Sequence, residues 1–320
     1  ILELVACGVY NLAANGYADI SKYYSSTPEV TAANQEIEKL AQEDEAGFYR
    51  AELMDSTVLN EVTWHHMPSV GTFCSTVLGE NVTTMGRLGF YTGANEFLYM
   101  GSTPFTNSLF NVRYLLHREG DLNNFDFDFV KEVEGVGIYE NPYPLSLGFS
   151  VSNNVTQYDR DTGLPLANQA NLASYMTGTE NFFTNQFPSL LVSSDTMNVS
   201  VSGNTITYEP YNNGSASFMV NFAIDTPGDY YVNCRGNSIS KIRFYIDGEE
   251  LSCDRYMWQI FHLGQLEAGQ QIHIEYIYNS LSSAGSASLY MATYDEEKYS
   301  YTHEILSKNQ LKVEEFEDGY

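Results

Sequence analysis

Between residues 197 and 294 turn residues cut the sequence into stretches too short for helices, and this punctuation restricts the fold more than any other feature. Segments 197–201 and 205–208 alternate apolar and polar side chains around Ser202-Gly203-Asn204, a tight hairpin. Segment 215–224 leads into Thr226-Pro227-Gly228-Asp229, and 230–233 follows that turn. Segment 241–246 meets Asp247-Gly248, a pair suited to the positive φ angles of a two-residue hairpin loop. Segments 250–252, 259–263, 271–278 and 286–294 complete the series, with Leu266-Glu267-Ala268-Gly269 as a further turn. A period of two gives each strand one apolar face, and many short strands of this kind predict an antiparallel β-sandwich of jelly-roll type over 185–295.

The preceding half has a different rhythm. Residues 31–45 carry Ile37, Leu40 and Ala41 at helical spacing, after Thr27-Pro28-Glu29 as a start signal and before Gly47 as a stop. Residues 48–53 alternate as a strand that puts Arg50 and Glu52 on one face. A second helix is expected over 70–78, ended by Gly79, and 85–99 reads as loop with one short helix. After Pro104 a turn of helix becomes a strand with Tyr114, Leu115 and Leu116 buried. A matching strand over 136–141 stops at Asn141-Pro142, because proline has no ladder donor. Residues 166–176 read as helix, and 182–191 as an aromatic connector. The whole is an α/β (or α+β) N-terminal module over 1–184, a sandwich over 185–295 resembling a carbohydrate-binding module, and a charged helix or tail over 296–320.

At 320 residues with 43% hydrophobic content the chain is long enough for two cores. Lys+Arg 15 against Asp+Glu 41 leaves a net charge of -26, which excludes nucleic acid as a partner and repels anionic lipid heads. The 25 tyrosines suit half-buried strands, and also the aromatic faces on which sugars stack. The chain starts at Ile1 and is expected to be a fragment or a processed product. Residues 1–14 are apolar but short and contain Glu3, so they read as a buried element or as the outer end of a membrane helix. Cys7, Cys74, Cys234 and Cys253 form no C-x-x-C pair; Cys234 and Cys253 fall on neighbouring predicted strands, where a disulfide and separate buried thiols are both open.

The sequence holds no G-x-S-x-G, H-E-x-x-H, Walker loop or G-x-G-x-x-G, so no catalytic residue is assigned and no cofactor is expected in this region. Trp64-His65-His66 lies in the long stretch 60–75, where a tryptophan face and histidine edges suit a sugar; the competing reading is a tryptophan filling the core. Tyr256 and Trp258 carry the same two readings on the sandwich. Asp159 and Asp161 have oxygen spacing that calcium favours but lack a later bidentate Glu, so a solvated turn is the simpler reading. Residues 121–129 alternate acid and aromatic, as an edge strand with its acids outward does.

An ordered set of segments carries a resemblance. It comprises Phe48-Tyr49-Arg50-Ala51-Glu52, then Gly101-Ser102-Thr103-Pro104 with Asn107-Ser108-Leu109-Phe110-Asn111-Val112-Arg113-Tyr114-Leu115, then Ile138-Tyr139-Glu140-Asn141 with Leu145-Ser146-Leu147-Gly148-Phe149. Asn168-Gln169-Ala170-Asn171-Leu172 and the hairpin at 263–269 follow in order. Together they resemble the extracytoplasmic C-terminal region of the YfhO family of bacterial polytopic membrane proteins. The resemblance implies membrane helices before this region and one after it. It also implies a parent similar to GT-C glycosyltransferases, which move a sugar from a polyprenyl-phosphate carrier to a cell-envelope polymer such as teichoic acid. In that class the catalytic carboxylates lie in loops between early membrane helices, so none transfers to this chain. The implied role is non-catalytic: positioning a glycan or teichoic-acid acceptor beside the chain's own transmembrane region. The resemblance also implies a further strand and a glycine-tryptophan segment past the equivalent of Phe316, so the final part of the family's fold is expected to be absent or replaced here. A structural or partner-docking module, and a free carbohydrate-binding protein, are the alternatives.

Overall fold

The computed structural model of the chain describes residues 5, 10, 27–44, 47–56, 58–118, 127–161, 163–251 and 259–311. Expectations for Cys7, Cys253, Tyr256, Trp258 and residues 312–320, and for most of 1–14 and 121–129, lie outside them. The described part is mostly antiparallel β-sheet with few helices.

In the first module, α1 (Thr27–Glu43) buries Val30, Ala33, Ile37 and Ala41, a stripe at helical spacing. This stripe packs on one face of a four-stranded sheet built from β1 (Arg50–Leu53) and three later strands. Next come α2 (Glu61–Trp64), β2 (Thr72–Phe73) and α3 (Gly79–Arg87). Here the expectation fails: no helix spans 70–78, and the glycine expected to end one begins the next. Glu80 in the first turn and Arg87 in the last match the helix dipole, and the extended Leu78 sets the boundary. β3 (Thr92–Gly93) and β4 (Glu96–Phe97) form a small sheet with β2 in the order β2-β4-β3.

The short helix α4 (Pro104–Leu109) starts from a capping box between Thr103 and Thr106, with Pro104 supplying a φ already suited to the first turn. Pro104 through Ser108 are all buried. Then β5 (Val112–His117), β6 (Asp128–Val133) and β7 (Val136–Glu140) complete the large sheet in the order β1-β5-β7-β6, in which only β1–β5 is parallel. Its second face buries Leu115 and Tyr139 with Met85, Leu88 and Phe90. A 3-10 turn at Asn153–Gln157 leads to α5 (Pro165–Thr177), which ends at Gly178 with φ 78, a left-handed angle natural to glycine.

The second module is two antiparallel sheets. They comprise β8 (Phe183–Gln186), β9 (Leu191–Ser193), β10 (Met197–Ser202), β11 (Thr205–Pro210), β12 (Gly214–Ala223), β13 (Gly228–Gly236), β14 (Lys241–Ile246), β15 (Glu249–Leu251), β16 (Ile260–Leu266), β17 (Gln271–Leu281) and β18 (Gly285–Tyr294). One sheet runs β10-β11-β18-β13-β16 with β8 also on β18; the other runs β15-β14-β17-β12-β9. The expected hairpin at Asp247-Gly248 is present, with φ 51 and 90. Phe218, Val220, Phe222, Ile272, Ile274 and Tyr276 alternate inward along β12 and β17 and fill the space between the sheets.

β13 breaks the alternation, since nearly all its residues are buried. Tyr230, Val232 and Cys234 face the sandwich core, whereas Tyr231 packs with Phe105, Leu166, Phe183 and Ile260 against the first module. A strand buried on both faces cannot alternate in polarity. Of the two readings for 296–320, helix or tail, residues Glu296–Lys308 form helix α6, capped by Asp295. It turns back to the first module, where Tyr299, Thr302 and Leu306 are buried and Gln310 bridges to Phe149.

Candidate functional site

Strand β1 carries the sequence Arg-Ala-Glu-Leu into the first module, and Glu52 is only 4% exposed. One of its carboxyl oxygens accepts from the amide of Val70 and, at 3.2 Å, from that of Gly71. Burial pushes the Glu52 carboxyl up to about 7, against the opposing pull of the two amides and of Arg50. Such a group is both donor and acceptor near neutral pH.

Glu52 lines a cleft of about 210 Å³. Ser56, Asn60, Glu61 and Thr72 add polar atoms, and Leu53, Met54, Val62, Leu98 and Met100 add apolar surface. The rim is held in place. Asn60 has a left-handed φ of 59, and its side chain both donates to and accepts from the Phe73 backbone at 2.8 Å. The Ser56 hydroxyl donates to the Leu53 carbonyl at 3.0 Å.

Glu61, in the first turn of α2, is ion-paired with Arg118. The same guanidinium donates to the Asp55 carbonyl at 2.9 Å, while Asp55 accepts from the Arg118 amide at 3.2 Å. His65 lies one turn on, its Nε2 3.9 Å from Glu61, and burial lowers its imidazole below the ordinary value.

The structure separates the three neighbours in Trp64-His65-His66. His65 is buried, its Nδ1 3.5 Å from the Thr31 hydroxyl, and its carbonyl accepts from Asn34 at 3.2 Å. Trp64 is 55% exposed, and His66 is exposed with φ 58. Trp64, the last residue of α2, and His66 just beyond it are therefore surface groups, and His65 between them is buried. Asp159 accepts from the Asp161 amide at 2.9 Å, an Asx turn, and Asp161 pairs with Arg87 at 3.1 Å. Among the described residues no group of three or more His, Cys, Asp or Glu side chains is placed to hold a metal.

Sequence reasoning placed Glu52 on a strand but did not mark it, and it missed Asn60, Glu61 and Arg118. The available signal was a glutamate inside a short apolar strand, which is buried only when something receives its oxygens. Two further hollows lie on the sandwich. One, of about 420 Å³, is lined by Asn198, Ser200, Thr207 and Glu209. The other, of about 120 Å³, lies beside Phe187 and Pro188.

A family profile described as bacterial membrane protein YfhO matches residues 1–320. The chain belongs to the YfhO family. Among the described residues of this YfhO-family chain no helix is long and apolar enough to cross a membrane. No curated protein sequence matches it. Among solved structures it is similar to a family 35 carbohydrate-binding module from Clostridium thermocellum, at 10% identity and TM-score 0.22, covering 34% of this chain and 96% of that one. It is also similar to TmCBM61 in complex with beta-1,4-galactotriose, at 14% identity and TM-score 0.22, covering 33% and 89%. CBM35 from Paenibacillus barcinonensis matches at 14% identity and TM-score 0.20, covering 34% and 91%.

Proposed function

We propose that this chain is the extracytoplasmic, non-catalytic region of a YfhO-family membrane glycosyltransferase, and that it positions the acceptor. The parent would move a sugar from a polyprenyl-phosphate carrier to a cell-envelope polymer such as teichoic acid. The observation that carries the reading is the Glu52 cleft. It is a fixed concavity with converging hydrogen-bonding groups over an apolar floor, the general form of a small-molecule site. Trp64, at the end of the helix that carries Glu61, is 55% exposed. Family membership supports the membrane setting.

The test is sugar transfer by the full-length protein in membranes, with and without a bulky residue at the cleft mouth (Ser56→Trp). The reading expects transfer to fall several-fold while the variant stays folded and inserted. Unchanged transfer would remove acceptor positioning at this cleft. The net charge of -26 adds a second expectation: polyanionic acceptor fragments should bind better with divalent cations and worse with chelator.

A docking role has its own supporting observation. Phe187 is 78% exposed just after β8 and Leu191 70% exposed at the start of β9, apolar side chains of the kind that a partner would cover.

A further inference from the structure

We infer that the Glu52 cleft takes one electroneutral, hydroxyl-bearing ring, a single glycosyl residue, and turns away phosphate. This rests on the acceptor-positioning reading and narrows it, so that the cleft would read a sugar on the acceptor rather than a phosphodiester backbone.

Size comes first. Drug-sized ligands occupy clefts of about 300–1,000 Å³. A cavity of about 210 Å³ is smaller, and matches one ring better than an oligomer. Charge comes second. Among the described residues no Lys, Arg or His lines the cleft, while Glu52 and Glu61 both do. A phosphate there would be desolvated beside carboxylates with no cation in the lining to receive it. Arg118 pairs with the Glu61 and Asp55 carboxylates and donates to the Asp55 carbonyl.

The polarity of the wall comes third. A sugar ring presents C–H faces and hydroxyl edges together. The cleft offers Leu53, Met54 and Met100 against the first, and the Glu52 carboxyl, Ser56 and Thr72 against the second. Burial keeps the Glu52 carboxyl partly protonated near neutral pH, so it serves as a hydrogen-bonding group for a neutral hydroxyl. The groups that act on it are Arg50 on its own strand and the Val70 and Gly71 amides, and Glu61 is the other carboxylate in the cleft lining. The Asn60–Phe73 clasp fixes the rim before any ligand arrives, which lowers the ordering cost of binding.

The experiment is an NMR titration of the 320-residue chain at neutral pH. The probes are neutral methyl hexosides, a hexose 6-phosphate and an amino sugar. The inference expects methyl hexosides to shift the Asn60, Gly71 and Thr72 amides, and the phosphate to bind at least about tenfold more weakly. Glu52→Gln, which keeps hydrogen bonding and removes the charge, should bind the neutral sugar within about threefold of the parent. Ser56→Trp should abolish the shifts with its melting temperature retained.

Phosphate binding as tight as the neutral sugar would overturn the inference, as would silence from every neutral hexoside at millimolar concentration. Binding of the amino sugar alone, lost in Glu52→Gln, would also overturn it by making this a cation site. Normal transfer by the full-length Ser56→Trp protein would sink the acceptor reading without touching the titration, so the two failures are distinguishable.

Discussion

The hydroxyl of Tyr299 meets the hydroxyl of Ser108, joining two residues that stand 191 positions apart in sequence. Tyr299 also donates to the Pro104 carbonyl at 3.0 Å, and its ring packs edge-on against Tyr143 and Phe182. Helix α6 is thereby fastened to α4 through one side chain with a large apolar body and a satisfied polar tip. Tyr299→Phe keeps the ring and is expected to lower stability by about 1 kcal/mol, whereas Tyr299→Ala should cost about 3–5 kcal/mol. Urea unfolding midpoints would show it, and equal losses in the two variants would contradict the assignment of most of the energy to packing.

Gly101 and Gly203 both have left-handed backbone, at φ 89 and 59, but different surroundings. A Cβ on Gly101 would lie 2.3 Å from the Gly89 carbonyl oxygen and 2.9 Å from the Ile260 amide, where the two modules touch; a Cβ on Gly203 would meet nothing. Gly203→Ala should cost about 1 kcal/mol and Gly101→Ala at least about 3 kcal/mol. Similar losses would mean that the close approach between the modules relaxes easily.

Folding raises the Glu52 carboxyl from its ordinary 4.5 to about 7. Between those values the folded chain holds a proton that the unfolded chain has released. The contribution of Glu52 to stability therefore falls as pH rises from about 4.5 to about 7, by roughly 3 kcal/mol in all, and is level on either side. Glu52→Gln should be less sensitive to pH over that range and more stable than the parent at pH about 8. Denaturation at acid and alkaline pH would check this, and an unchanged pH slope in the variant would refute it.

Arg118 and Glu61 are both nearly buried, their side chains 11% and 10% exposed. Removing one partner strands the other charge, so Arg118→Ala should cost about 3–5 kcal/mol. Replacing both with methionine should cost less than Arg118→Ala, because Glu61 is then no longer a stranded charge and only the more exposed Asp55, 3.6 Å from the same guanidinium, loses its partner. A double-mutant cycle would measure the difference, and simple additivity would show that the pair is not coupled.

Much of the second module was legible because its signals are local. Asp247-Gly248 fixes a hairpin through two backbone angles, and the alternation in β12 and β17 states which side chains turn inward. α1 was readable from its start and stop residues. The expected helix over 70–78 failed because Gly79 was read as a stop, while Glu80 and Arg87 marked the start and end of a helix beyond it. β8 was hidden inside an aromatic connector, since its pairing with β18 depends on a strand far away in sequence. The cleft was invisible for the same reason. Glu52, Asn60, Gly71 and Met100 come from separate segments, and no one-dimensional period brings them together. The Trp-His-His run was conspicuous as a motif, yet its members part company: one is packed inside and two face solvent.

The return of α6 to the first module has a consequence for synthesis. The sandwich lies wholly between α5 and α6, so the first module's core lacks Tyr299, Thr302 and Leu306 until the sandwich strands have been made. At about 5–20 residues per second, the interval between Thr177 and Glu296 is on the order of ten seconds. During it the pocket that receives Tyr299, beside Phe105, Phe182 and Tyr143, stands open to chaperones and to unwanted partners. The sandwich can close its own hairpins meanwhile, and the half of the chain that emerges first is then the half completed last.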